Sequence, residues 1–364
     1  MTTVHVPLGE RSYDIQILPG ALHRLGVHLA AALPRVRRAL LITDETVAPH
    51  YLQPALHALA AAGITAAGAS VPAGEGAKSL SEAARLYEAC LDAGLERSGV
   101  VIALGGGVVG DLAGFIAATY LRGVAFVQVP TTLLAMVDAS VGGKVAVDLP
   151  RGKNLVGAFH QPRLVLIDPQ VLSTLPPRQV SAGLAEVVKH GVIRDAGFLT
   201  WLEDHAESVL ALQAGVLEHL IATNCRIKAS VVAADEREET GLRAMLNFGH
   251  TTGHAIEAVQ GYGGWLHGEA VAAGMVVATR IAADTGVLAD AALPQRLTAM
   301  LQRFTLPVRL PPGTDPAAVL AAMQYDKKAE AGKVQWVLPV RPGEVTRAPV
   351  PTAAVAAALA ALAA

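Results

Sequence analysis

The sequence predicts a two-domain chain, with an α/β domain built on a Rossmann-like parallel sheet followed by a mainly α-helical domain. Up to about residue 170, short and wholly apolar runs alternate with alanine-rich stretches, which is typical of parallel strands buried on both faces. From about residue 177 onward most of the sequence has a helical period. In a chain of 364 residues, we therefore place the first domain at 1–170 and the second at 171–364.

The elements of the first domain are predicted from their composition. A helix is expected over residues 51–62, another begins at about Val109, and the alanine-rich tail 352–364 is expected to form a terminal helix. Four apolar runs are assigned as strands of the parallel sheet: residues 39–43, 100–104, 125–129 and 164–168.

Composition and charge exclude several classes of function. A net charge of -2 gives no electrostatic footprint for nucleic acid. The apolar stretch 99–121 is long enough to cross a bilayer, but a glycine turn and Asp111 interrupt it, so a buried strand, turn and helix explain it better. No signal peptide is visible at the N-terminus. Cys90 and Cys225 cannot build a disulfide framework, and we expect a soluble cytoplasmic protein.

A glycine turn indicates a nucleotide site. Gly105-x-Gly107-x-x-Gly110 follows a predicted strand and opens a helix, which is the context of a dinucleotide-binding turn. The acid expected about 20 residues later is missing, and we assign its role to Asp44, at the end of an earlier strand. The loop containing Glu75 and Lys78 offers a charge pair for the nucleotide, although a solvated turn fits it equally well.

Two histidines and a glutamate form a candidate metal site. His250 and His254 lie four residues apart, on one face of a helix. Glu186 and Lys189 likewise share a helical face, and His267 begins a further apolar helical run. Two imidazoles and a carboxylate, from His250, His267 and Glu186, suit a divalent ion with an open coordination position. Helix capping or a place in the core is the alternative for each histidine alone.

Cationic side chains in apolar surroundings indicate an anionic ligand. Lys144 and Lys189 have apolar neighbours and are costly to bury without a partner. A substrate phosphate or carboxylate is one such partner. Salt bridges to Asp138, Asp148 or Glu186 are the other, and the sequence leaves the choice open.

Beyond these single features, the chain resembles the 3-dehydroquinate synthase family of sugar phosphate cyclases over nearly its whole length. The long matching runs are specific and occur in order. They are residues 74–79, 104–111, 130–144, 152–154, 183–189, 246–257, 267–269 and 326–328.

The resemblance implies a reaction and its cofactors. The family converts 3-deoxy-D-arabino-heptulosonate 7-phosphate to 3-dehydroquinate and phosphate, in the shikimate pathway of chorismate and aromatic amino acid biosynthesis. It uses transient oxidation by NAD, phosphate elimination, reduction and an intramolecular aldol cyclisation, with a divalent zinc or cobalt ion. It also implies a homodimer with the active site in the cleft between its two domains.

The resemblance further implies roles for individual residues. The metal ligands are Glu186, His250 and His267. The phosphate is surrounded by Arg122 (from the neighbouring subunit of a dimer), Lys144, Asn154, Asn247, His254 and Lys328. The carboxylate pairs with Arg243, and hydroxyl binding and proton positioning fall to Asp138, Lys189, Lys228 and Glu238, with Glu239 as the alternative to Glu238. Lys153 approaches the substrate or the nicotinamide. NAD is held by Asp44, Glu75, Lys78, Gly105, Gly106, Gly107, Val108, Asp111, Thr131, Thr132, Thr174, Lys144 and Lys153.

Two alternatives remain open. Another sugar phosphate cyclase, above all of the aminodehydroquinate synthase type, shares fold, NAD and metal, although Arg243 and Lys328 favour a carboxylate-bearing substrate. A metal-dependent polyol dehydrogenase shares the architecture, but its metal sites generally use an aspartate with several histidines. The sequence also departs from the family at Thr252, where a bulky apolar residue is usual, and is one residue longer within 235–243.

Overall fold

The computed structural model describes residues 1–261, 264–323, 329–330 and 333–363. The chain divides into two compact units, each of which is formed by two segments. Met1–Leu175 and Leu217–Arg237 form the first unit, and Pro176–Val216 and Glu238–Ala364 form the second. The division at residue 170 remains a prediction about domains, because compactness alone does not define them.

The first unit alternates strands and helices. In chain order its elements are β1 (Thr2–Val6), β2 (Tyr13–Ile17), α1 (Leu25–Ala32), β3 (Arg38–Asp44), α2 (Ala48–Ala61), β4 (Thr65–Val71), α3 (Leu80–Asp92), β5 (Val100–Gly105), α4 (Gly107–Thr119), β6 (Ala125–Pro130), β7 (Lys144–Leu149), β8 (Gly152–Phe159) and β9 (Leu164–Ile167).

The sheet of this unit confirms the predicted α/β class. Its strand order is β1-β2-β9-β6-β5-β3-β4, and all neighbours are parallel except the antiparallel pair β1–β2. The interior strand β5 is buried along its whole length, as its unbroken apolar run predicted. Parallel strands end at one edge of a sheet, so Asp44, Gly105 and Pro130 share that edge. The antiparallel hairpin β7–β8 lies outside this sheet.

The second unit is mainly helical, as predicted. The elements that follow β9 are α5 (Pro177–Arg194), α6 (Ala196–Leu210), α7 (Ala214–Ala234), α8 (His250–Val259), α9 (His267–Asp284), α10 (Leu293–Arg303), α11 (Pro316–Met323), β10 (Ala329–Glu330), β11 (Lys333–Arg341), β12 (Glu344–Pro349) and α12 (Thr352–Ala363).

Two features of this half extend the prediction. Most of α7 belongs to the first unit, since residues 217–234 fall within Leu217–Arg237. A small antiparallel sheet, β10-β11-β12, interrupts the helices before the predicted terminal helix. Among the residues that the structure describes, we find no helix with the length and apolar character needed to span a membrane.

Candidate active site

The three predicted metal ligands lie together in the second unit. Glu186 is in the middle of α5 and has no exposed surface. His250 and His267 are the first residues of α8 and α9. Oε1 of Glu186 lies 3.6 Å from Nε2 of His250 and 3.6 Å from Nε2 of His267.

A close backbone contact between α5 and α9 brings Glu186 and His267 together. A Cβ atom at Gly268 would lie 1.9 Å from the carbonyl oxygen of Ala182, so only glycine allows this approach. Ala182 is one helical turn before Glu186, and Gly268 directly follows His267. Arg178 strengthens the same contact, because its Nε and Nη2 donate to the Glu269 carboxylate at 2.6 and 2.7 Å.

Glycines also set the contact between α8 and α9. Gly249 precedes His250 with φ +80°, and a Cβ there would lie 2.6 Å from Cγ of Met275. A Cβ at Gly274 would lie 2.0 Å from the carbonyl oxygen of Gly249. The two helices therefore meet backbone to backbone, which fixes the start of α8 and with it the imidazole of His250.

Hydrogen bonds at Nδ1 orient both imidazoles. Nδ1 of His250 donates to the carbonyl oxygen of Phe248 at 3.2 Å. Nδ1 of His267 donates to Oε2 of Glu257 at 3.2 Å. With Nδ1 as the donor, Nε2 of each ring faces Glu186 and is the nitrogen available to a metal ion, which would displace any proton bound there.

This arrangement fits a divalent metal ion. Ligand atoms 2.0–2.1 Å from zinc in a tetrahedral site are separated by about 3.3 Å, close to the 3.6 Å found here. The three ligand atoms all lie within 4.8 Å of one another. Oε1 of Glu186 is buried and accepts no hydrogen bond from any residue that the structure describes, as expected of an atom that an ion completes.

Lys189 and the two imidazoles hold Glu186 ionised. The Lys189 ammonium pairs with Oε2 of Glu186, which is one of the salt bridges that the sequence left open. Burial raises the pKa of Glu186, but Lys189 and both histidines outweigh it and hold this pKa well below its ordinary value. Burial lowers the pKa of His267, whereas the nearby carboxylates of Glu186 and Glu257 raise it to about 10.

Other predicted residues of the second unit lie near this cluster or next to it in sequence. His254 is exposed on α8, and its ring centroid is 5.4 Å from that of His250. Asn247 ends the short helix Leu242–Asn247 just before α8. Arg243 is only 2% exposed, and its Nε lies 3.7 Å from Oε1 of Glu238. Lys328 lies outside the described residues.

In the first unit, the glycine turn has the geometry expected of a nucleotide site. Gly105 ends β5 and Gly107 begins α4. The backbone N–H of Thr131 donates to the carbonyl oxygen of Gly105 at 2.9 Å. A Cβ at Gly106 would lie 3.2 Å from Cγ2 of Thr132, so the two predicted segments are adjacent. The amides of the first turn of α4, which includes Val108, suit an anionic group.

The remaining predicted nucleotide residues are held by local contacts. Oδ1 of Asp44 accepts from the backbone N–H of Val47 at 3.0 Å. The Thr174 hydroxyl lies 2.7 Å from that of Tyr51. Asp44 is at the strand edge that carries the glycine turn, whereas Thr174 belongs to the short helix Pro169–Thr174, which follows β9.

A buried ion network joins residues predicted for NAD and for phosphate. Nζ of Lys78, which is 4% exposed, lies 2.7 Å from Oδ2 of Asp111 and also bonds to Oδ1 of Asn154. The carboxylate of Glu75 lies 3.8 Å from Nζ of Lys78, and that of Asp148 lies 4.0 Å away. Burial lowers the pKa of Lys78, but the surrounding carboxylates raise it further than burial lowers it.

The other predicted cations of this unit differ in their surroundings. Nζ of Lys228 lies 2.8 Å from Oδ1 of Asp138. This salt bridge joins two residues that the sequence assigned to substrate binding. Lys153 lies 3.6 Å from Oε1 of Glu75. Lys144 begins β7 and is exposed, as is Arg122, whose φ is +66°.

Two partners of predicted residues were missed by the sequence analysis. Glu257 contacts His267, and Asp148 accepts from the backbone N–H of Asn154 at 2.7 Å. The spacing of Glu257 offered one indication, since it lies three residues after His254 and seven after His250 on one face of α8. Asp148 had appeared only as a salt-bridge candidate for the lysines.

This fold is shared with solved sugar phosphate cyclases. A 2-deoxy-scyllo-inosose synthase, solved with carbaglucose-6-phosphate, NAD+ and Co2+, matches with a TM-score of 0.90 and 28% identity, covering 98% of this chain and 99% of that chain. A 2-epi-5-epi-valiolone synthase from Streptomyces hygroscopicus subsp. jinggangensis, solved with NAD+ and Zn2+, matches with a TM-score of 0.88 and 31% identity over 98% of each chain. The chain is thus of the sugar phosphate cyclase class.

Sequence comparison assigns the particular family. Residues 68–182 match the N-terminal model of 3-dehydroquinate synthase, and residues 183–329 match its C-terminal model. The 3-dehydroquinate synthase of Symbiobacterium thermophilum is 57% identical over 342 residues, which cover 94% of this chain and 95% of the relative. The chain belongs to the 3-dehydroquinate synthase family, and the family predicted from the sequence is confirmed.

Proposed function

We propose that this chain carries out the reaction for which its relatives are named, the conversion of 3-deoxy-D-arabino-heptulosonate 7-phosphate to 3-dehydroquinate and phosphate. Such an enzyme is a phosphorus–oxygen lyase of the shikimate pathway. The observation that carries the proposal is the cluster of Glu186, His250 and His267, in a chain 57% identical to a 3-dehydroquinate synthase.

The cluster would hold one divalent ion, zinc or cobalt. The Co2+ and Zn2+ of the two solved cyclases support this assignment, as do the converging Nε2 atoms of His250 and His267. When bound, the ion supplies positive charge that stabilises a substrate hydroxyl oxygen as it loses its proton. Lys189 pairs with Oε2 of Glu186 and leaves Oε1 for the ion.

The sheet edge of the first unit would bind NAD, which both solved cyclases contain. When bound, NAD supplies a reversible oxidation of one substrate hydroxyl, so no NADH accumulates. The first turn of α4 would bind the pyrophosphate through its backbone amides. The remaining contacts are assigned to Asp44, Glu75, Lys78, Gly105, Gly106, Gly107, Val108, Asp111, Thr131, Thr132, Thr174, Lys144 and Lys153.

Further predicted residues would bind the substrate and move its protons. In the first unit, the salt bridge between Asp138 and Lys228 would orient both groups toward substrate hydroxyls, with Arg122, Lys144 and Asn154 near the phosphate and Lys153 near the substrate or the nicotinamide. In the second unit, the buried guanidinium of Arg243 would pair with the substrate carboxylate, which favours the carboxylate-bearing substrate over a simple sugar phosphate. The further residues of that unit are assigned as Asn247, His254, Lys189, Glu238 and Lys328.

The imidazole of His254 would transfer the proton that accompanies phosphate release. It lies on the α8 face that carries His250 and remains exposed, so its nitrogen atoms reach solvent and substrate. An imidazole has a pKa close to working pH and both accepts and donates protons there.

We also propose a homodimer in the cytoplasm. The homodimer is the assembly that the resemblance to the family implies. Two free and fully buried cysteines, Cys90 and Cys225, suit a reducing compartment.

Phosphate release from 3-deoxy-D-arabino-heptulosonate 7-phosphate tests the proposal. The protein is stripped of metal with a chelator, then supplied with zinc or cobalt and with substoichiometric NAD. We expect metal-dependent release of phosphate, 3-dehydroquinate as the product, and no net NADH.

The same assay separates the alternatives. Release only from the amino analogue of the substrate would assign an aminodehydroquinate synthase. Accumulation of NADH with a simple polyol, and no phosphate release, would assign a metal-dependent dehydrogenase.

A further inference from the structure

A glutamate outside the predicted site contacts a proposed metal ligand. Glu257 is on α8, is 7% exposed, and accepts from Nδ1 of His267 through Oε2 at 3.2 Å. Its carboxylate also lies within 4.8 Å of a ring nitrogen of His254. Burying a carboxylate is costly unless hydrogen bonds compensate, so Glu257 stays in this position through its polar neighbours.

The two histidines of the cluster are oriented in different ways. Nδ1 of His250 donates to the backbone carbonyl of Phe248, which any side chain at 248 preserves. Nδ1 of His267 donates to the side chain of Glu257, and a single substitution removes this acceptor. His267 is also the more exposed of the two, with 34% of its side chain accessible against 11% for His250. Its ring therefore depends more on one hydrogen bond.

We propose that Glu257 is a positioning residue for metal binding: its carboxylate holds the His267 ring with Nδ1 protonated and the lone pair of Nε2 directed at the point shared with His250 and Glu186. A carboxylate behind a ligand imidazole fixes its tautomer and raises its basicity. This inference rests on the proposed function, because it presupposes that the cluster binds a metal ion.

The experiment compares Glu257→Ala and Glu257→Gln with the unaltered chain. Metal-free protein is titrated with Co2+ against a competing chelator, and the visible absorption of bound Co2+ is recorded. We expect Glu257→Ala to weaken Co2+ binding about 10- to 100-fold and to alter the absorption spectrum. Glu257→Gln keeps an oxygen that accepts from Nδ1, so its loss should be smaller. At saturating Co2+, kcat of Glu257→Gln should recover most of its original value.

A matched control is Glu203→Gln, which also removes one carboxylate charge from the second unit. Glu203 pairs with Arg296 at 2.8 Å and belongs to α6. Its substitution should leave Co2+ affinity unchanged. The thermal midpoint of each metal-free variant reports whether it folds. If Glu257→Ala does not fold, the positioning role is tested by comparing the Co2+ affinity of Glu257→Gln with that of Glu203→Gln.

Three results are distinguishable. No Co2+ binding by the unaltered chain would overturn the metal assignment of the proposed function. Binding of one ion with the same affinity in the folded Glu257 variants and in Glu203→Gln would overturn the positioning role alone. Binding of two ions by the unaltered chain and one by Glu257→Ala would also overturn it, because Glu257 would then be a ligand of a second ion with His254.

Discussion

The ion network around Lys78 and the cluster around Glu186 bury charge in different ways. Lys78 has a carboxylate partner at 2.7 Å and two more carboxylates within 4.0 Å, so protein groups surround its charge. Glu186 has the Lys189 ammonium on Oε2, but Oε1 has no hydrogen-bond donor among the described residues. The first network is complete as the chain folds, whereas the second leaves a carboxylate oxygen for the proposed metal ion.

This difference determines what each region contributes. A buried charge with its partners in place contributes to folding, and removing one partner leaves the other uncompensated. An incomplete set of ligands contributes little to folding and instead binds an ion that matches it. We therefore expect substitutions at Lys78 to reduce stability as well as NAD binding, and substitutions at the metal cluster to act mainly on metal binding and activity.

The largest effect should follow loss of a metal ligand. We expect His267→Ala to lose Co2+ affinity by more than the roughly 10- to 100-fold typical of an outer-shell partner, and to lose phosphate release with it. Equilibrium dialysis of the metal and the phosphate assay measure the two losses. His205→Ala is the matched control. His205 belongs to α6, and its ring centroid lies 4.5 Å from that of Trp201. Equal phosphate release by His267→Ala and by His205→Ala, measured with the same supply of Co2+, would contradict the assignment of His267 as a metal ligand.

A large effect on stability should follow loss of the buried cation. Lys78→Met leaves Asp111 without its 2.7 Å partner, and breaking a buried pair costs about 3–5 kcal/mol. Urea denaturation measures the change in the free energy of unfolding. Arg85→Met is the control: Arg85 pairs with Glu82 at the surface, where an exposed pair contributes about 0.2–1 kcal/mol. Equal losses in the two variants would show that the Lys78 network is not a structural element.

A smaller effect should come from Thr252. Its side chain is fully buried, and Oγ1 has no hydrogen-bond partner among the residues that the structure describes. Thr252→Val removes an unsatisfied hydroxyl at nearly constant volume, so we expect the free energy of unfolding to rise by about 1 kcal/mol. Urea denaturation measures this change. An unchanged Co2+ affinity would show that the substitution has not displaced His250, which lies two residues earlier on α8. A loss of stability would mean that the hydroxyl has a partner after all.

The smallest effect concerns the thiols. Burial raises the pKa of Cys90 and of Cys225 to about 12, so a thiol reagent at pH 8 should label neither in the folded chain and both in urea. A group whose folded pKa is raised stabilises the fold fully below its unfolded pKa, here near 9.0. This contribution should be lost as pH rises from 9.0 toward 12. Rapid labelling of the folded chain at pH 8 would contradict the burial of both thiols.

The sequence predicted the elements whose pattern is locally strong. All four assigned strands are present, because strands buried on both faces of a parallel sheet are built mostly from apolar residues. The hairpins β1–β2 and β7–β8, strand β4 and the strands β10–β12 were missed. Strand β12 is exposed or half-buried throughout, and such a strand has little apolar signal. β12 is held by its pairing with β11, and a pattern within one segment does not predict which strand it pairs with.

The residues of the proposed metal cluster were predictable from the sequence, but the side chains that hold them in position were not. His250, His267 and Glu186 are the residue types that bind divalent ions, and the family resemblance connected them. The contact of Glu257 with His267 depends on how α8 packs on α9, through Gly249 and Gly274. Similarly, Lys78 and Asp111 were both assigned to NAD from the sequence, but their ion pair requires the folded chain.

The central claim is that one ion completes the Glu186 cluster and makes the chain active. The most direct test adds Co2+ stepwise to metal-free protein with NAD and 3-deoxy-D-arabino-heptulosonate 7-phosphate, while phosphate release is followed. We predict no release without metal and a rate that rises linearly to a plateau at one Co2+ per chain. Full release from the metal-free protein, or a plateau at two ions per chain, would contradict the claim.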